Sequence, residues 1–173
     1  MSPLGAEPSV PGLQSLREPI LLVDVKNIVV EDTSVSKDDP LNIARFLSPS
    51  PNAILSWWLK DRFQAVGKSG QLSFIIHHVR ITETPFEKGG WFTAPRVCFE
   101  ADLCVSVCVP NTDPNAQKLT IHVRTRTIQS ERLNLFERQK AWIRLMEDAI
   151  NALDQELMKR PGFQSVILRA PAA

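Results

Sequence analysis

The sequence predicts an α+β domain of order β-α-β-β-β-α, a four-stranded, mainly antiparallel sheet with two helices packed on one face. Residues 97–109 alternate large apolar with small or charged side chains, the period of a half-buried strand. Two stretches, 51–66 and 134–160, place apolar residues at helical spacing instead. Strand patterns follow one another between those helices rather than alternating with them, and that grouping is what separates α+β from α/β architectures.

The chain has 173 residues, with 43% hydrophobic and 23% charged side chains, enough for one domain with a real core. Twenty basic against nineteen acidic residues leave a formal charge of +1, so the electrostatic footprint of a dedicated nucleic-acid binder is missing. No apolar run approaches the ~20 residues of a bilayer span, and the N-terminus lacks the pattern of a secretory signal.

Residues 1–18, with Pro3, Pro8, Pro11, Gly5 and Gly12, read as a flexible leader, and 19–168 as the folded domain. Ile20 to Asp32 is the first strand, with Leu21, Val23 and Val25 on one face and Ile20, Leu22, Ile28 and Val30 on or near the other. Thr33 to Pro51 is a long polar connection, pinned by Ile43, Phe46 and Leu47. Ser50-Pro51 gives an N-cap followed by proline at the first helical position. The helix then carries Leu55, Trp58, Leu59, Arg62, Phe63 and Val66 at its spacing, with Trp57 at the stripe's edge, and stops at Gly67.

Ser73 to Thr84, 97–109 and Lys118 to Gln129 are the remaining strands. The turn 111–115 makes the last two an antiparallel pair. Parity puts Glu100 and Asp102 on one face with His122, Arg124 and Arg126, as cross-strand ion pairs on a wet surface. Asn134 and Glu137 have capping-box spacing, and Phe136, Trp142, Leu145, Met146, Ala149, Leu153 and Leu157 form the apolar stripe of the last helix. Pro161-Gly162 ends it, 163–168 adds a short strand or docks as a tail, and 169–173 frays.

Few residues suggest chemistry. Cys98, Cys104 and Cys108 share one face of one strand, separated by six and four residues, too far apart for a disulfide or a chelating cluster. Gly67-Lys68-Ser69-Gly70 resembles the end of a phosphate loop, but Arg62 stands where that loop needs its first glycine. His77 and His78 are strand neighbours, so strict alternation sends them to opposite faces and keeps them from sharing a metal. No setting activates a serine nucleophile. No catalytic, cofactor-binding or metal-ligating residues are assigned.

The loop 85–92 carries Phe86, Trp91 and Phe92 around a Gly89-Gly90 hinge. Exposed loop aromatics mark contact sites, so these three and Trp57 are the candidate partner-binding residues. The strands also hold more apolar residues than two helices can cover, which predicts an apolar patch on the far side of the sheet.

Several motifs resemble a family of small, mostly uncharacterised alphaproteobacterial lipoproteins. They are Asn42-Ile43 through Phe46, Trp58-x-x-Asp61-Arg62-x-x-Ala65-Val66-Gly67-x-Ser69-Gly70, Leu133-Asn134, Ala141-Trp142 and Asp154-x-Glu156-Leu157. That family is similar in layout to LptE-like lipopolysaccharide-assembly lipoproteins and to auxiliary lipoproteins of ABC-type transport. The resemblance implies a periplasmic module, lipid-anchored through an acylated cysteine in the full-length precursor, although no cysteine precedes Cys98. A cytosolic location follows instead if residue 1 is the native start.

The reading that results is a non-enzymatic, envelope-associated binding or assembly module acting through an envelope or transport protein, without nucleic acid. Two alternatives accompany it. One is a small-ligand or lipid carrier with an apolar pocket between helix 51–66 and the sheet; the other is an enzyme whose concave site gathers Glu100, Asp102 and His122 or the loop 85–95.

Overall fold

In a computed structural model the chain forms a long mixed sheet whose inner face carries the helices. It describes residues 19–34, 39–86, 95–110 and 118–168. The expected leader 1–18, the tail 169–173, the turn 111–115 and the loop residues Trp91 and Phe92 lie outside the described residues.

The elements run β1 (Leu21–Val23), β2 (Asn27–Asp32), α1 (Pro51–Arg62), β3 (Phe63–Ala65), β4 (Gln71–Phe86), β5 (Arg96–Cys108), β6 (Lys118–Ser130), α2 (Leu135–Met158), α3 (Pro161–Gln164) and β7 (Ile167–Leu168). The main sheet has the order β2-β4-β5-β6. Its first pair is parallel and the other two are antiparallel. A second, small sheet has the order β3-β1-β7. The α+β layout read from the sequence is the observed one.

β5 supplies the spine. Val97, Phe99, Ala101, Leu103, Val105 and Val107 all face inward and are buried. They meet Ile54, Leu55 and Leu59 of α1 and Trp142, Leu145, Met146 and Leu153 of α2 in one continuous core. Both predicted helix starts are capped as read: Ser50 Oγ accepts from the Ala53 amide at 3.1 Å, and Asn134 and Glu137 form a reciprocal capping box. The Thr33 to Pro51 connection also docks as expected. Asn42 donates to the Val79 carbonyl at 3.2 Å and accepts from the Ile81 amide at 3.1 Å, so this segment occupies the β4 edge beyond the end of β2 and protects it from foreign strands.

Three local expectations are corrected. First, Ile20 to Asp32 is not one strand: the chain bends between Val23 and Asn27, and the two halves join different sheets. The bend breaks the alternation, so Val23 and Val25 are buried while Ile28 and Val30 pack on the same core.

Second, α1 ends at Arg62 rather than Val66, and Phe63 to Ala65 extend as β3 alongside β1. Tertiary packing wins over helical spacing there, because the Phe63 ring stacks on Phe74 at 5.4 Å and meets Phe163 at 5.5 Å. Gly67 is therefore no helix stop. A Cβ on it would lie 2.6 Å from both Asp24 Oδ1 and the Val25 nitrogen, so glycine is needed where the β3–β4 turn crosses the bend.

Third, a β-bulge between Ile76 and His78 shifts the register of β4 against β5. The shift brings Phe74 and Ile76 before it, and Val79 and Ile81 after it, to the same buried face. Most of the apolar surplus of β4 is thereby absorbed inside, while Ile20, Val29 and Ile128 stay exposed. The far side of the sheet carries Arg80, Glu100, Asp102, Ser106, His122 and Arg124 at its centre, not the apolar patch predicted from unbroken alternation.

Candidate functional site

Register across three strands builds a polar cluster at the middle of that outer face. On β5, Asp102 lies opposite Arg80 on one side and Arg124 on the other, while Cys104 lies between His78 and His122. Glu100 faces Arg126 in the next row. Parity from the sequence placed Glu100, Asp102, His122, Arg124 and Arg126 together, and the ladder does so.

His78 is the member that the sequence reading lost. His77 contacts Ser106 Oγ and His78 contacts Asp102 Oδ1 at 2.8 Å, and both of those partners belong to the outer face of β5. The two imidazoles therefore share a face, because the bulge places two residues opposite one. The available signal was Ile75-Ile76 followed by His77-His78-Val79, a doubled apolar and then doubled polar step that regular alternation does not allow.

The geometry around Asp102 is convergent. His78 Nε2 and His122 Nε2 both meet its Oδ1, and the Arg124 guanidinium reaches Oδ2 at 3.1 Å. Arg124 also stands 3.5 Å from Glu100. The Asp102 side chain is only 8% exposed although it sits on the solvent side, whereas His78 and His122 above it are 44% and 50% exposed. The rings form the roof, with centroids 5.3 Å apart and nearly perpendicular planes.

Electrostatics follow from this roof. Burial pushes the Asp102 carboxyl upward, but the hydrogen bonds from His78, His122 and Arg124, with the nearby His122 charge, outweigh it and hold the group below its ordinary value. Burial raises the Cys104 thiol, and the Asp102 carboxylate adds to that rise. Cys104 is thus kept in its unreactive thiol form. Cys98, Cys104 and Cys108 are all free thiols.

The partner-binding candidates fall elsewhere. Phe86 ends β4, half-buried and opposite Arg96. Trp57 is half-buried on α1 and packs against the core. Sequence reasoning missed two neighbours at the Phe86 end. Leu135 and Phe136 open α2 with 86% and 62% exposure. This end is tied together by Arg138 of α2, which pairs with Glu83 of β4, and by the Glu131 amide donating to the Pro95 carbonyl at 3.0 Å.

Between the edge strand β6 and α2, a cleft of about 320 Å³ is lined by polar groups including Arg126, Gln129, Arg144 and Asp148. The space between α1 and the sheet, where a carrier's pocket is expected, is occupied by the buried rings of Trp58, Phe63, Phe74 and Phe163. Among the described residues no helix is long and apolar enough to cross a membrane.

No protein-family model and no curated protein matches the chain. Among the solved structures that align with the chain are three bacterial lipoproteins. A minor lipoprotein from Acinetobacter baumannii aligns over 86% of this chain and 99% of its own, with 8% identity and a TM-score of 0.44. Rare lipoprotein B from Shewanella oneidensis aligns over 77% of this chain and 92% of its own, with 13% identity and a TM-score of 0.43. An uncharacterized lipoprotein B from Nitrosomonas europaea aligns over 83% and 86%, with 12% identity and a TM-score of 0.43. Likeness of this degree assigns no role to the present chain.

Proposed function

We propose that this chain is a non-enzymatic, envelope-associated binding module of the lipoprotein type, acting through a protein partner that docks on the end of the molecule where α2 begins. The observation that carries this reading is the exposure of Leu135 and Phe136, two large apolar side chains side by side at the first turn of a long helix. Neither contributes to the core. Large apolar anchors kept in water at one end of a rigid element suit a binding epitope better than a structural role.

Phe86 ends β4 at the same end and belongs to the proposed epitope; Trp91 and Phe92 stay candidates on their sequence alone. The periplasmic location and lipid anchoring belong to this proposal, supported by the motif resemblance to small alphaproteobacterial lipoproteins, whose layout is similar to that of LptE-like lipoproteins. In that resemblance Asn42, Arg62, Gly67 and Asp154 all have structural work, since they brace loop, helix and turn.

The test is a tagged chain exported behind a host secretory signal in an alphaproteobacterium and recovered from envelope fractions, beside a Leu135→Ser, Phe136→Ser double variant. Both substituted sites are exposed, so stability should stay within about 0.5 kcal/mol. A defined envelope protein that co-purifies with the wild type and is lost from the variant supports the proposal. Equal recovery of that protein with both chains, or no envelope protein recovered with either, contradicts it.

A further inference from the structure

We infer that His78, Asp102 and His122 form a mononuclear binding site for a first-row divalent metal ion of the zinc class, on the outer face of the sheet. One ring nitrogen from each imidazole and one oxygen of the carboxylate lie within 4.8 Å of one another. Two imidazoles with one carboxylate is a donor set that zinc and its neighbours take, at about 2.0–2.2 Å from each ligand atom.

Four features make the cluster more than a chance meeting of polar groups. The ligands come from three adjacent strands of one ladder, β4, β5 and β6, so hydrogen-bonded backbone fixes their spacing. Both ring nitrogens aim at the same carboxylate oxygen. In the absence of an ion each ring donates its Nε2–H to that oxygen, and an ion seated among the three atoms replaces both hydrogen bonds once the rings carry their protons on Nδ1. The carboxylate is held from behind by Arg124 on its other oxygen, the kind of outer partner that orients a metal-bound carboxylate.

The fourth feature is access. The two histidines are half-exposed, so an ion enters from solvent, and a fourth coordination position faces water. Charge also allows it: Glu100 stands beside Arg124 and offsets the guanidinium, while the buried carboxylate supplies the negative charge that a dication needs. Cys104 lies between the two histidines in the register, but its sulfur is not among the converging atoms. The inference does not depend on the proposed docking end, which lies elsewhere in the molecule.

The experiment uses the full chain without an affinity tag, titrated with Co²⁺ as a spectroscopic stand-in and with Zn²⁺ by calorimetry. The expected result is a visible ligand-field band that saturates near one equivalent and is displaced by Zn²⁺, with no intense sulfur-to-metal band. His78→Ala and His122→Ala, checked for native circular dichroism, should each weaken binding by more than the ~10–100-fold that follows loss of an outer-shell partner. Asp102→Asn should do the same, whereas His77→Ala, whose ring bonds Ser106 outside the donor set, should bind as the wild type does. No band and no heat, an intense sulfur band, or unchanged binding by folded His78→Ala and His122→Ala each overturns the site.

Discussion

Arg62, the last residue of α1, and Asp154, on α2, form a buried two-pronged ion pair. Nε meets Oδ1 and Nη2 meets Oδ2, each at 3.2 Å. The third guanidinium nitrogen donates to the Pro19 carbonyl, so one side chain fixes both helices and the entry of the chain into the domain. In the sequence Arg62 looked like one more member of a helical stripe. Its burial is real, but its partner lies 92 residues away.

Breaking that pair leaves a charge buried and unpaired. Asp154→Asn or Arg62→Met alone should cost about 3–5 kcal/mol, because desolvation is no longer offset. The double change Arg62→Met, Asp154→Leu should recover most of it. Urea unfolding of the four proteins measures this, and a double variant as unstable as the worse single one refutes the pairing argument.

Gly67→Ala tests the crossing of the β3–β4 turn over the bend at Asp24–Val25. The new methyl meets backbone, not a flexible side-chain end alone, so the turn must shift. We expect a loss of about 1–3 kcal/mol, typical of overpacking, seen as a lower denaturation midpoint. A neutral substitution would mean that the crossing is looser than described.

Deletion of His77 probes the bulge. Ile76 and His78 are already consecutive partners of Val105 and Cys104, so removing the extra residue leaves a regular ladder with Val79 and Ile81 still inside. The deleted chain should fold cooperatively. Deletion of Arg80 instead turns Ile81 outward and should abolish folding, as any one-residue slip does. Far- and near-ultraviolet circular dichroism distinguishes the two, and equal behaviour would contradict the bulge.

Asp39 provides the pH test. The hydrogen bond from Arg80, with that from the Leu41 amide, holds its carboxyl below the ordinary value. A lowered folded pKa means that the linkage contribution is complete above the unfolded value, about 3.9, and is lost as pH falls through the folded one. The carboxyl carbon resonance of Asp39 should therefore titrate below pH ~3.9, and Arg80→Gln should move its midpoint upward. A midpoint that ignores the substitution contradicts the pairing.

The parts of this fold that obey a single period were legible from residue order. The inner face of β5, the stripe of α2 from Trp142 to Leu157, and the caps at Ser50 and Asn134 depend on local spacing, and all are found as read. What escaped depends on breaks in a period. The bend after Val23 and the bulge at His77 each change parity, and with parity changes the face that every later residue meets. That is why His77 and His78 were sent to opposite faces although both meet the outer face of β5, and why an apolar patch was expected where a polar cluster stands. Leu135 and Phe136 were missed for a different reason: Phe136 continues the α2 stripe, and only the three-dimensional end of the sheet shows that the stripe outruns it.

The proposed docking end is tested most directly by photo-crosslinking in living cells. A benzophenone amino acid replaces Phe136, or, as control, the exposed Gln64 of β3. The binding-module reading predicts one discrete crosslinked species of an envelope protein from position 136 and none from position 64. No crosslink from 136, or the same species from both positions, would contradict it.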